Sequence, residues 1–180
     1  MNADTDNIVV ARARIADVPA IVALVERFAK RGEILPRSPE EVYQSVREWV
    51  VARRGDEVVG CGSLVVLWAD LAEIRSLIVN PELQGKGVGR RIVTMLLEQA
   101  IELEIPRVFA LTRKPGFFIK MGFYQVPRET LPRKIWKDCI HCLKFVGCDE
   151  VALVQDISLT PVLDARYGIQ ASMSARSSGS

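Results

Sequence analysis

The chain has 180 residues, 49% of them hydrophobic and 26% charged, with a formal net charge of +2. That length suits one domain with a substantial buried core. So small a positive excess, with no long basic block, argues against a nucleic-acid or membrane-surface partner, and no apolar run reaches the ~20 residues of a membrane-spanning helix. The first residues, Met1 to Asn7, are polar and carry Asp4 and Asp6. They lack the basic and then apolar regions of a secretory signal, so a cytoplasmic protein is expected. In that compartment the four cysteines, Cys61, Cys139, Cys142 and Cys148, are expected as thiols or metal ligands rather than disulfides.

Ile8 to Ile15 reads as a first strand, with Arg12 and Arg14 on one face. Asp17 then caps a helix with Pro19 near its start, and Ile21, Leu24, Val25 and Phe28 fall at helical spacing up to Gly32. After a loop over 33–38, Ser38 and Glu41 form a capping-box pattern for a second helix carrying Val42, Val46 and Trp49. Val50 to Arg53, Val58 to Trp68 and Leu71 to Val79 read as strands joined by tight turns, an antiparallel meander that Asn80-Pro81 breaks. Glu82 to Glu104 reads as a turn and then a helix with a buried stripe of Val88, Ile92, Leu96, Ala100 and Leu103. A strand at Arg107 to Thr112, a short helix at Pro115 to Met121, and strands from Phe123 and over Val151 to Ile157 complete the pattern. Residues 1–158 are expected to form the domain. The Ser- and Ala-rich tail, 159–180, is expected to be disordered.

The strongest local signal runs from Leu77, Ile78 and Val79 through Gln84, Gly85, Lys86, Gly87, Val88 and Gly89 to Arg90 and Arg91. A strand enters a glycine-rich turn that opens a long amphipathic helix. Unpaired N–H groups and the dipole at a helix N-terminus favour anions, and glycines let a phosphate approach the backbone. The turn is therefore expected to hold a phosphate or pyrophosphate, with Lys86, Arg90 and Arg91 adding charge. A Walker loop is absent. A dinucleotide fingerprint fails at its third glycine, where Arg90 stands, and lacks its βαβ setting.

Gln84-x-x-Gly87-x-Gly89 between strand and helix resembles the coenzyme A loop of the GCN5-related N-acetyltransferase superfamily. Phe118-Ile119-Lys120-Met121-Gly122-Phe123 is similar to that superfamily's late helix-to-strand motif. The resemblance spans roughly Ile8 to Val126, with Val151 to Ile157 as a closing strand. It implies an α/β (α+β) fold with a mixed, mostly antiparallel sheet flanked by helices and splayed at its centre. It implies acetyl-CoA as co-substrate, lying in that splay against the backbone of Leu77, Ile78 and Val79 and beside Phe118. Homodimers are common in that fold. Thioester aminolysis needs a base for the acceptor's proton and donors for the oxyanion. Glu73 is the best base, since strand alternation places Glu73, Arg75 and Leu77 on one face; the bland alternative is that Glu73 only pairs with an arginine. Many relatives have Tyr where this chain has Phe118, so the acid that protonates the leaving thiolate stays unassigned, with Tyr124 nearby in sequence.

Arg37, Arg75, Arg113 and Lys134 fall on segments expected around the acceptor, with Lys114 and Arg133 beside them. Arginine forks match carboxylates, which suits an acidic small molecule over a polyamine; individually, each cation also reads as an ordinary surface charge. The stretches 32–38, with Leu35 and Arg37, 72–77, 109–112 and 131–139 resemble short bacterial amino-acid N-acetyltransferases and the acetyltransferase half of N-acetylglutamate synthases. That resemblance implies glutamate as acceptor, at the start of arginine biosynthesis, with Arg37 and Arg75 on its carboxylates. The alternatives are acetylation of another small amine or a protein N-terminus, and a non-catalytic acetyl-CoA sensor. Cys139, Cys142 and Cys148, with His141, are compatible with a metal site, a redox pair, or simply three thiols shaping a loop.

Overall fold

The computed structural model describes residues 7–131 and 149–158. Strand β1 covers Ile8–Arg12 and stops short of Ile15, which begins a 3-10 turn over Ile15–Asp17. Asp17 stands at the N-cap of helix α1, Val18–Ala29, but its carboxylate does not cap that helix. It accepts the Arg14 amide at 2.6 Å and Arg53 Nε at 2.9 Å. Burial pushes the Asp17 carboxyl up, and the bonds from Arg53 and the Arg14 amide outweigh it, leaving it below its ordinary value. Helix α2, Pro39–Gln44, starts with the expected capping box: Ser38 Oγ accepts the Glu41 amide at 3.1 Å, and Glu41 Oε2 accepts the Ser38 amide at 2.6 Å.

Val46 and Trp49, expected in that helix, lie beyond it. Val46–Glu48 is a 3-10 turn, and Trp49 opens strand β2, Trp49–Arg54. Trp49 pairs with Ser63 and is buried, so cross-strand pairing overrides helical spacing there. Strand β3 covers Glu57–Trp68, β4 Leu71–Val79 and β5 Arg107–Thr112. Helix α3, Val88–Glu102, links β4 to β5; helix α4 is Pro115–Ile119, β6 is Tyr124–Gln125 and β7 is Val151–Asp156. Leu103, expected in the buried stripe of α3, is 58% exposed. The helix has ended: Glu104 adopts φ +58° and the Ile105 amide donates to the Ala100 carbonyl at 2.9 Å, which folds Ile105 into the core instead.

Among the described residues the strands form one sheet in the order β1-β2-β3-β4-β5-β7-β6. All neighbours are antiparallel except β4 and β5. Helices α1 and α2 pack on one face through Ile21, Val25, Phe28 and Val42. Helix α3 and Phe118 of α4 pack on the other. Helix α3 sits close because β3 offers it glycine: a Cβ on Gly62 would lie 3.1 Å from an Ile92 methyl, and one on Gly60 2.9 Å from the Ile78 carbonyl oxygen.

Candidate active site

Strand β4 is paired along β3, but its parallel pairing with β5 is confined to Ala72↔Val108 and Glu73↔Phe109. Beyond Glu73 the two strands part. One row of β4 backbone groups then faces a gap in the sheet rather than a partner strand. At the same place β4 bulges. Cys61 pairs with Ile78 and Ser63 with Arg75, so two steps on β3 oppose three on β4. Ser76 absorbs the extra residue at φ +50°, a left-handed conformation that is costly for a non-glycine residue. Two β3 side chains hold the bulge: Ser63 Oγ donates to the Arg75 carbonyl at 3.4 Å and Cys61 Sγ to the Ser76 carbonyl at 3.9 Å. Burial pushes the Cys61 thiol up to about 12, so it keeps its proton at neutral pH.

The bulge corrects the simple alternation. Glu73 and Arg75 share one face, where Arg75 Nε donates to Glu73 Oε2 at 2.5 Å. Leu77 is turned to the opposite face, packing with Ile74 against the α3 side; its Cδ1 lies 3.4 Å from where a Gly62 Cβ would stand. The expected base is thus also the partner of an arginine.

The gap opens into a cleft of about 1240 Å³. The end where coenzyme A is expected is the turn from β4 into α3. Gln84 Nε2 donates back to the Val79 carbonyl at 3.0 Å, tying the turn to the strand end. Gly85 and Gly87 adopt φ +75° and +86°, and nothing lies within 4 Å of where a Cβ on either would be. The first bond of α3 runs from the Arg91 amide to the Gly87 carbonyl, so the amides before it belong to the set a helix start leaves without intrahelical partners. This open cradle, facing Arg90, fits a pyrophosphate. Leu77, Ile78, Val79, Gln84, Gly85, Gly87, Gly89, Arg90 and Phe118 all line the cleft; Lys86 and Val88 do not. The Val88 side chain is in the core, so a contact from Val88 would come through its amide. Phe118 is mainly core, edge-on to Phe117 and Phe123 with centroids 5.1 Å away.

The other end of the cleft, where the acceptor is expected, is lined by Leu35, Arg37, Glu73, Arg75 and Arg113, among others. Arg113 also fastens this wall: its Nη2 donates to the Gly32 and Glu33 carbonyls, each at 2.8 Å, tying the end of β5 to the loop that carries Arg37. Tyr124 is not among the cleft-lining residues; its hydroxyl donates to Asp156 at 2.5 Å, a bond that raises its pKa. Lys134, Cys139, Cys142 and Cys148 lie outside the described residues. Sequence reading missed Ser76, Arg128, Asp149 and Glu150, which also line the cleft. The bulge had no signal in the residue pattern; Arg128 opens a 3-10 turn over Arg128–Thr130, and Asp149 and Glu150 sit on irregular chain just before β7.

An acyl-CoA-binding fold is defined by this combination: a sheet splayed beside a bulged strand, with a glycine cradle at the following helix. The match to known proteins agrees. The family model for the acetyltransferase (GNAT) family matches residues 21–125, and the chain belongs to that family. It is an N-acetyltransferase that uses acetyl-CoA as co-substrate. The chain is 39% identical over 163 residues, 88% of its length and 86% of the relative's, to the amino-acid acetyltransferase of Mycobacterium tuberculosis. It is similar, at 34% identity and a TM-score of 0.70, to a Mycobacterium tuberculosis protein solved in complex with CoA and NLQ, covering 83% of this chain and 99% of that one. It is also similar, at 27% identity and a TM-score of 0.74, to N-acetylglutamate synthase from Neisseria gonorrhoeae complexed with coenzyme A and N-acetyl-glutamate; the match covers 84% of this chain and 35% of that one. Among the described residues no helix is long and apolar enough to cross a membrane.

Proposed function

We propose that the enzyme acetylates the α-amino group of a carboxylate-bearing amino acid, L-glutamate first among them, as an N-acetylglutamate synthase-type enzyme at the entry to arginine biosynthesis. The observation that carries this reading is the placing of Arg37 and Arg75 in one cleft with Glu73, beside the open stretch of β4. Two guanidinium groups suit the acceptor's carboxylates. The amino-acid acetyltransferase and N-acetylglutamate synthase relatives support it.

Bound acetyl-CoA supplies the acetyl group. Arg37 and Arg75 orient the acceptor so that its nitrogen faces the gap. Glu73 takes the ammonium proton, directly or through a water, and frees the lone pair that attacks the thioester carbonyl. Backbone amides of β4 beyond the bulge stabilise the charge that develops on the carbonyl oxygen. The carbon–sulfur bond then breaks, and the thiolate is protonated from solvent, no cleft-lining tyrosine being present among the described residues. The test is coenzyme A release with acetyl-CoA against a panel of free amino acids, for wild type and Arg75→Ala. Turnover on glutamate that the substitution abolishes is the expected result. Turnover confined to non-acidic amines would overturn the acceptor assignment, and tight coenzyme A binding with no turnover would point to a sensor.

A further inference from the structure

A second, smaller cavity of about 260 Å³ shares Arg37 and Arg75 with the main cleft. Its other charged residues are Glu41 and Glu48. The Glu41 carboxylate is committed to the cap of α2, where it accepts the Ser38 amide, and the residue is exposed. Glu48 is half-buried on the 3-10 turn before β2, within electrostatic reach of both guanidinium groups. Burial drives its carboxyl above the usual range against the pull of Arg75 and Arg37. Arg75 is thus contested by Glu73 on its own strand and by Glu48 from the smaller cavity.

We infer that Glu48 is a specificity-determining residue, one that limits how much negative charge the Arg37–Arg75 pair accepts from the acceptor. This rests on the amino-acid acceptor reading above. An acceptor with one carboxylate and a neutral amide side chain meets two guanidinium groups already partly balanced. An acceptor with two carboxylates places a second negative charge on the guanidinium groups that Glu48 already partly balances from the adjoining cavity, and the two anions compete for the same pair of cations. Glu48 therefore sets the ratio between glutamate and glutamine as acceptors, without contributing to coenzyme binding.

The experiment measures kcat/KM for glutamate and for glutamine in wild type, Glu48→Gln and Glu41→Gln, with coenzyme A binding measured for each. Glu48→Gln should raise the glutamate-to-glutamine ratio roughly tenfold and leave coenzyme A affinity unchanged, while Glu41→Gln leaves the ratio where it was. An unchanged ratio in Glu48→Gln overturns the inference, and so does an equal rise in Glu41→Gln, which would reduce the effect to general charge. Glu48→Ala carries the same test if the glutamine variant fails to bind coenzyme A. A wild type that binds coenzyme A but acetylates neither amino acid would instead bring down the acceptor reading itself, and this inference with it.

Discussion

The two ends of the cleft are made differently. The end proposed for the coenzyme comes from one continuous stretch, Leu77 to Arg90, and offers mostly backbone: the splayed strand, the open turn at Gly85 and Gly87, and the start of α3. The end proposed for the acceptor comes from side chains scattered from Leu35 to Arg113, carried by strand β4 and by two loops. A backbone site tolerates change in most side chains and depends on a few glycines. A site of charged side chains depends on each neighbour's charge and on what fastens the loops. The contrast teaches that the two ends answer to different perturbations, one to backbone shape and the other to charge.

Substitutions at the two ends should therefore separate coenzyme use from acceptor use. The largest effect is expected from Glu73→Gln, which should lower kcat by about 100-fold or more, the usual scale for losing a general base, with coenzyme A still bound. A loss of less than tenfold in single-turnover assays would show that Glu73 only pairs with Arg75. Next comes a control remote from both ends. Asp17→Asn removes the buried partner of Arg53 and should cost about 2 kcal/mol in urea unfolding, the scale of a hydrogen bond to a charged group. The same pair makes a pH prediction. Because the folded-state pKa of Asp17 is lowered from 3.8, its contribution is fully present above that value and fades as pH falls through the lower folded one. Wild type and Asp17→Asn should thus converge in stability in strong acid, and parallel curves down to low pH would contradict the assignment.

Gly87→Ala forces a Cβ into a left-handed position, at roughly 1–2 kcal/mol. It should raise KM for acetyl-CoA several-fold and leave the acceptor profile alone; an altered amino-acid preference would mean that the two ends are not separable. Arg113→Ala should have a smaller effect at the other end, a two- to threefold rise in acceptor KM, on the scale of about 0.5 kcal/mol, as the loop bearing Arg37 loses its tie to β5. Coenzyme A affinity, followed by calorimetry, is the control. The smallest effect is a null one. Cys61, buried and protonated, should escape alkylation in the native enzyme and react only after unfolding, which peptide mapping by mass spectrometry would check.

Much of this was legible in the chain itself. Strand β4 at Leu71–Val79, strand β5 at Arg107–Thr112, the Ser38–Glu41 capping box and the glycine turn before α3 all follow from local pattern and turn chemistry. Each is decided by interactions between residues a few positions apart, which the residue order displays directly. Trp49 and Leu103 were misplaced because distant partners decided them: Ser63 on β3 drew Trp49 into a strand, and the turn at Glu104 put Ile105 in the core position.

The Ser76 bulge belongs to the same class. Nothing in Glu73 to Leu77 announces it, since it exists only in the register between β3 and β4, with Cys61 and Ser63 holding its carbonyls. It turned Leu77 away from Glu73 and Arg75, where alternation had grouped all three. The sequence alone determined the order of elements, the glycine turn before α3 and the residue types that could meet a carboxylate. The tertiary structure decided which of these meet: that β4 and β5 part after Glu73, that Arg113 ties down the loop of Arg37, and that Glu48 shares a cavity with both arginines. Backbone hydrogen-bonding preferences are local and repeat with the chain, whereas charge balance in a pocket depends on distances across the fold, which no spacing along the chain records.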